Sequence, residues 1–190
     1  MLDRLLQWDQ DTFIYLNNLG TQEFDAFWCV ITNITSWIPL YLFFALLFFF
    51  KCPMKEGILK VFWVVVLAVF ILFLTSLTKN YVARIRPNND VEINTLIRIL
   101  KRPTDYSFFS GHAASSFAIT FLVYLFLRKK QQWSLIFFVW PLLFAVSRIF
   151  VGVHFPLDII IGAFVGIVSA ILFYVFFKKV AQPKLLADPA

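Results

Sequence analysis

Four apolar runs of near-membrane length, with short basic clusters at some of their ends, constrain this chain more than anything else in it. They lie at about 61–78, 113–127, 133–147 and 157–177. A hydrocarbon core of about 30 Å asks for roughly 20 apolar residues in helix, so the shorter runs must continue as helix into the interface. A further apolar stretch, 24–50, is interrupted by Asn33, Ser36 and Pro39. It reads either as one kinked span or as a short helix followed by a second. In lipid, only helices and closed barrels satisfy their own backbone hydrogen bonds, and runs this long select helix. The expectation is an all-α, polytopic transmembrane bundle of five to six spans, forming one domain over residues 1–190. With 61% hydrophobic residues, the chain lies well above the roughly half typical of soluble domains.

Residues 2–18 place Leu2, Leu5, Leu6, Trp8, Phe13, Ile14 and Leu16 in a helical rhythm among polar neighbours. This predicts an N-terminal amphipathic helix at the membrane surface. The acidic start has no cleavable apolar core of the secretory kind. The polar end, Gln182–Ala190, reads as a frayed tail. Cys29 and Cys52 would stand about 35 Å apart along one helix, too far for a disulfide, and are read as free thiols.

Basic residues orient the spans. Lys51, Lys55 and Lys60 form one cluster, Arg128, Lys129 and Lys130 a second, Lys178 and Lys179 a third. If the spans alternate, all three fall on one side, which the positive-inside rule makes cytoplasmic. The first 25 residues carry five acids and one base, as suits the opposite side. The outer loop 80–109 breaks the charge rule with Arg84, Arg86, Arg98, Lys101 and Arg102. These cations call for a functional explanation, and a second phosphate, a sugar phosphate or the outer lipid surface are the candidate partners for those beyond Arg86. The net charge of +6 fits anionic lipid headgroups. No basic, aromatic-interleaved segment points to nucleic acid.

Both histidines stand at the mouths of apolar segments. Lys79 ends one span and His112 begins the next; Arg148 ends another and His154 precedes the last. Span parity therefore sends all four to one membrane face. Lys79-x6-Arg86-Pro87 places two cations seven residues apart, two turns if the helix continues, facing an oxyanion or merely flanking the membrane. Ser110-Gly111-His112 opens a helix, where free N–H groups bind anions and glycine lets the backbone approach; an ordinary N-cap is the plainer use. In Ser147-Arg148-x5-His154-x3-Asp158, the carboxylate four residues on can hold one imidazole nitrogen and leave the other free to attack. With both histidines so placed and few acids nearby, no metal cage is expected, and no cofactor.

Taken in order, these three motifs resemble the signature of the type 2 phosphatidic-acid phosphatase family, which includes integral membrane lipid phosphatases. The likeness covers about residues 79–158, with Phe109 standing where the family usually has proline before Ser-Gly-His. The resemblance implies a mechanism. His154 attacks phosphorus and forms a phosphohistidine, with Asp158 fixing its tautomer. His112 protonates the leaving oxygen and then activates water. Lys79, Arg86, Ser110, Gly111 and Arg148 bind the phosphate. His154 is then neutral and His112 charged, which gives a bell-shaped pH profile. The implied substrate is a lipid phosphate or pyrophosphate at the outer, periplasmic face of a bacterial inner membrane. Undecaprenyl pyrophosphate comes first; phosphatidylglycerophosphate, phosphatidic acid and lipid A phosphates follow, with lipid phosphotransfer as a second chemistry. A channel or transporter would need polar residues deep in the spans, and 113–127 and 157–177 offer only Ser, Thr, Tyr and one terminal Asp.

Gly162-x3-Gly166 reads as close helix packing within the bundle rather than a dimer seam, and a monomer or weak homo-oligomer is expected among membrane lipids. Phe43, Phe44, Phe48–Phe50, Phe176 and Phe177 read as lipid-facing bulk. Trp63, Trp133 and Trp140 read as membrane anchors or packing.

Overall fold

The computed structural model describes residues 1–183; the polar tail beyond them lies outside the described residues, while Gln182 and Pro183 continue the last helix. Seven α-helices follow in order among the described residues: α1 (Leu2–Asn18), α2 (Asp25–Ile31), α3 (Ile38–Lys51), α4 (Met54–Val82), α5 (Gly111–Leu127), α6 (Val139–Phe150) and α7 (Pro156–Phe176). Short 3-10 turns precede α2, α3 and α6, and a π-helical turn, Phe177–Ala181, closes α7.

Four segments are long and apolar enough to cross a membrane: Ile34–Lys51, Met54–Asn89, Trp133–Phe150 and Pro156–Ala181. This corrects the expected five to six. The interrupted 24–50 stretch supplies one span, because Asn33 starts a 3-10 turn by accepting from Thr35 N at 3.2 Å. Pro39 then sits in the first turn of α3, where its missing N–H leaves no bond unmade. α5, with 17 residues, reaches only about 25 Å at 1.5 Å per residue. It runs through the inside of the bundle, from the end that carries Lys79 and His112 to the end where Lys130 meets Lys51, with Ala113, Ala114, Ala118, Leu122, Val123 and Leu127 all fully buried.

α5 and α7 are the most closely packed pair. A Cβ on Gly162 would lie 2.6 Å from Ser110 O, and one on Gly166 would collide with Ala114 O. The small-residue stripe thus serves packing inside the bundle, as expected. The phenylalanine reading needs correction. Phe44, Phe48 and Phe177 are buried in the core between α3, α5 and α7, while Phe43, Phe49, Phe50 and Phe176 are exposed. Phe48 and Phe177 both meet Phe126 of α5 edge-on. A helix that must cover a buried neighbour turns part of its aromatic face toward it. Trp140 is likewise buried, against Tyr41 and Phe144, and Trp133 is exposed.

α1 has the expected rhythm, but its buried face sets two polar residues beside Phe13. Asp9, Phe13 and Asn17, one turn apart, are fully buried against the ends of α6 and α7, while Leu2, Leu5, Leu6 and Trp8 stay exposed. Asn17 donates to Ile149 O at 2.8 Å and accepts from Arg98 N at 2.7 Å, so it closes the C-terminal end of α6. Leucines outward and bonded polar groups inward is the arrangement of a helix with lipid on its outer face.

Candidate functional site

Helix ends bring the site together at one end of the bundle. α4 stops at Ala83, whose left-handed conformation (φ 50°) turns the chain and whose N–H caps Lys79 O at 2.9 Å. Lys79 is therefore in the last helical turn, whereas Arg86 lies on extended backbone before Pro87. The two cations do not share a continuous helix, as their spacing allowed; the loop folds back so that both reach one carboxylate. α6 ends in a turn at Gly152, where the φ is +82° and a Cβ would lie 2.5 Å from Arg98 O; both require glycine. That turn delivers His154 beside the first turn of α7. Ser110 N donates to Asp158 O at 3.0 Å, which locks the start of α5 to the start of α7.

His154 is held at both ring nitrogens. Nδ1 lies 3.3 Å from Asp158 Oδ2, and Nε2 lies 3.0 Å from Arg86 Nη1. With a carboxylate beside Nδ1 and a guanidinium beside Nε2, the network assigns the proton to Nδ1 and the lone pair to Nε2. Burial first, then the charges of Arg86 and Arg148, pushes His154 well below the ordinary histidine range, which keeps the ring neutral. Asp158 is itself fixed: Ser107 Oγ donates to Oδ2, Phe155 N donates to Oδ2 at 3.1 Å, and Arg84 Nη1 donates to Oδ1 at 2.7 Å. Arg84 also bonds Asp9 Oδ2 at 2.7 Å and stacks over Phe155 at 4.0 Å. Asp9 Oδ1 in turn accepts from Leu157 N at 2.8 Å. An acid from α1 thus caps the start of α7 and braces the His154 support.

Asp105 sits where Lys79 and Arg86 meet. Lys79 Nζ approaches its Oδ2 at 2.5 Å, and Arg86 Nη2 lies 3.0 Å from both carboxylate oxygens while Arg86 Nε donates to Asp105 O at 2.8 Å. Partial burial alone raises a carboxyl, but the Lys79 hydrogen bond and the Arg86 charge outweigh it and hold Asp105 down at about 2. The cation pair thus holds a two-oxygen anion, the same shape that an edge of a phosphate presents.

His112 and Arg148 face a cleft of about 460 Å³, which Thr32, Asn33, Lys101 and Arg102 also line. Arg148 Nη1 donates to Thr32 Oγ1, while its buried Nε has no partner among the described residues. His112 packs on the Phe144 ring at 4.8 Å. Burial first, then the positive charges around it with Arg148 foremost, pushes His112 down to about 2; a dianion seated among those cations reverses their field and raises the ring toward its charged form.

The expected site residues all lie in this region, in three relations to the cleft and the cations. His154, Asp158, Lys79 and Arg86 form one bonded network, and His112 and Arg148 line the cleft. Ser110 is fully buried and caps α5 by accepting from Ala113 N at 3.4 Å; a Cβ on the adjacent Gly111 would meet Thr75 Cγ2 at 3.0 Å, so this glycine also lets α4 approach. Sequence reasoning left Asp9, Asp105, Ser107 and Thr32 unassigned. The only signal for Asp105 was an acid inside a basic loop; Asp9 gave none, being 148 residues from Leu157. Of the outer cations left open, Arg84 pairs with Asp9 and Asp158, and Arg98 binds both oxygens of Asp25 at 2.6 and 2.7 Å.

A helical membrane bundle with two histidines and clustered cations at one end defines a phosphate-handling membrane enzyme. The chain matches the PAP2 superfamily model over residues 57–182 and belongs to that superfamily; in class it is a lipid-phosphate phosphatase. It is 28% identical to the lipid A 4'-phosphatase of Bacteroides thetaiotaomicron over 94% of this chain and 81% of that protein. It is 39% identical to the undecaprenyl-diphosphatase of Sulfolobus acidocaldarius over 68% of this chain and 58% of that one. Among solved structures, the PAP2-type phosphatidylglycerolphosphate phosphatase of Bacillus subtilis superposes with a TM-score of 0.74 at 21% identity, covering 93% of this chain and 88% of the other, and shares the fold.

Proposed function

We propose that this protein hydrolyses the terminal phosphate of a membrane lipid through a phosphohistidine on His154, with undecaprenyl pyrophosphate as first substrate and lipid A, phosphatidylglycerophosphate or phosphatidic acid phosphates as rivals. The observation that carries this reading is the His154 network, with Asp158 at Nδ1 and Arg86 at Nε2. An arriving phosphate displaces Asp105 from Lys79 and Arg86, and Arg86 moves its donor from Nε2 to a phosphate oxygen. The freed lone pair attacks phosphorus. Arg148 steadies a second oxygen, and His112 protonates the leaving oxygen and later draws a proton from the hydrolytic water. Phosphoryl transfer rests on positioning and charge stabilisation, which these cations supply.

Topology follows from charge. Lys130 Nζ reaches Lys51 O at 2.9 Å, and Lys60, Lys129, Lys130 and Lys178 line a common cleft, so the basic clusters share one end. That end is assigned to the cytoplasm. The catalytic end then faces the periplasmic side of a bacterial inner membrane. An apolar cleft of about 300 Å³ between α3, α4 and α5, lined by Phe44, Phe48, Val64 and Val123, suits a lipid chain.

The test is purified protein offered a panel of lipid phosphates in chelator, with His154→Ala as control. Wild type is expected to release inorganic phosphate, and His154→Ala to lose about 10⁴-fold or more while eluting as wild type does. Appreciable turnover by the variant rejects the nucleophile. Labelled phosphate appearing on a second lipid, instead of in solution, identifies phosphotransfer.

A further inference from the structure

We propose that Lys101 and Arg102, with the Asn33 amide, form a second anion subsite in the cleft beside His112, which seats the inner phosphate of a lipid diphosphate. The inference rests on the proposed phosphatase reading and deepens it by naming the bond cut: a phosphoanhydride rather than a phosphate ester.

The other cations of this face are committed. Arg84, Arg98, Lys79 and Arg86 each hold a carboxylate. Lys101 and Arg102 are different, because neither side chain has a hydrogen-bonding or ionic partner among the described residues, and no carboxylate lines their cleft. Asn33 Oδ1 is taken by Thr35 N and Oγ1, which leaves its Nδ2 donors unpartnered. Arg148 adds a buried, unbonded Nε to the same wall.

These cations also stand on a fixed segment. Leu100 N and Lys101 N both donate to Val151 O, at 3.1 and 3.3 Å. Two residues on, Pro103 O accepts from Asn88 Nδ2 at 3.2 Å and Asn89 Nδ2 at 3.1 Å. The backbone carrying Lys101 and Arg102 is thus clamped on both sides, and its charges are presented to the cleft rather than left on a free loop. A volume of about 460 Å³ falls within the ordinary range of small-ligand sites, about 300–1,000 Å³.

Position gives the ligand. His112 lines this cleft and His154 does not, so the group leaving phosphorus departs toward Lys101 and Arg102. Two unpaired cations at that point hold the inner phosphate from binding until it departs. His154 Nε2 bonds the terminal phosphorus as the bond from that phosphorus to the bridging oxygen breaks. The electron pair leaves on the lipid monophosphate, held by Lys101 and Arg102. Water then cleaves the phosphohistidine to inorganic phosphate and restores the proton that His112 lent.

The experiment uses the full chain in detergent with farnesyl diphosphate and farnesyl monophosphate, so that only the second phosphate differs. Lys101→Gln/Arg102→Gln is expected to raise KM for the diphosphate about tenfold, the scale of one charge-assisted contact. The monophosphate KM should stay within about twofold. Lys101→Arg/Arg102→Lys should recover the diphosphate KM. An equal rise for both substrates means that the pair attracts any anionic lipid, and overturns the subsite, as does no change for either. A wild type that prefers the monophosphate also overturns it and leaves the phosphatase reading standing. Release from neither substrate or any other lipid phosphate rejects that reading, and the subsite with it.

Discussion

The two histidines sit in opposite kinds of surroundings. Around His154 nearly every polar group is matched: Asp158 has Ser107, Arg84 and Phe155 N, Arg84 has Asp9, and Asp9 has Leu157 N. Around His112 the donors outnumber the acceptors, with Arg148 Nε, Lys101 and Arg102 unmatched among the described residues. A group that must attack along one line gains from a rigid support. A group that must hand a proton to an incoming molecule needs donors left open for it. One half of the proposed site is built to hold still, and the other to receive.

Breaking the rigid half should cost most. Asp158→Asn removes the acceptor that keeps the proton on Nδ1, and kcat should fall about 10³- to 10⁴-fold with KM little changed. Steady-state kinetics on a lipid phosphate tests this; a loss confined to KM would move Asp158 from positioning to binding. His112→Gln acts on the receiving half, with about a 10²- to 10³-fold drop expected for an alkyl phosphate. The drop should shrink for a p-nitrophenyl ester, whose leaving group needs no proton. Equal losses on both esters would remove His112 as the acid.

The smallest effect expected is on pH dependence. His154 attacks as the neutral ring, and its folded pKa lies below the ordinary 6.5. Protonation therefore stops attack only as pH falls through that lowered value, so the acid limb of kcat/KM should lie below 6.5. Loss of the His112 proton in the substrate complex should set the alkaline limb of kcat. A flat profile from pH 5 to 9, or an acid limb at or above 6.5, breaks the pairing of neutral nucleophile and charged acid.

Much of the candidate site was legible because its chemistry is local. His154 and Asp158 stand one helical turn apart, and their contact needs only the start of a helix. Lys79 and Arg148 were placed at the right end of the bundle by span parity alone. The residues that were missed act across long stretches of chain. Arg84 reaches Asp158 over 74 positions and Arg148 reaches Thr32 over 116, and no periodicity marks such pairs. The phenylalanines of α3 failed for a related reason. Hydropathy cannot tell a face turned to lipid from one turned to another helix, since both are apolar.

The sequence by itself determined a helical membrane protein and a candidate phosphate site with two histidines at the helix mouths. Length, apolarity and short spacings impose these on the backbone wherever the neighbours lie. Only the tertiary structure decided which outer cations were tied to carboxylates and which stayed open, and that an acid from α1 braces His154. Pairing depends on what the fold brings within about 3 Å, the reach of a hydrogen bond, and the order of residues along the chain does not record it.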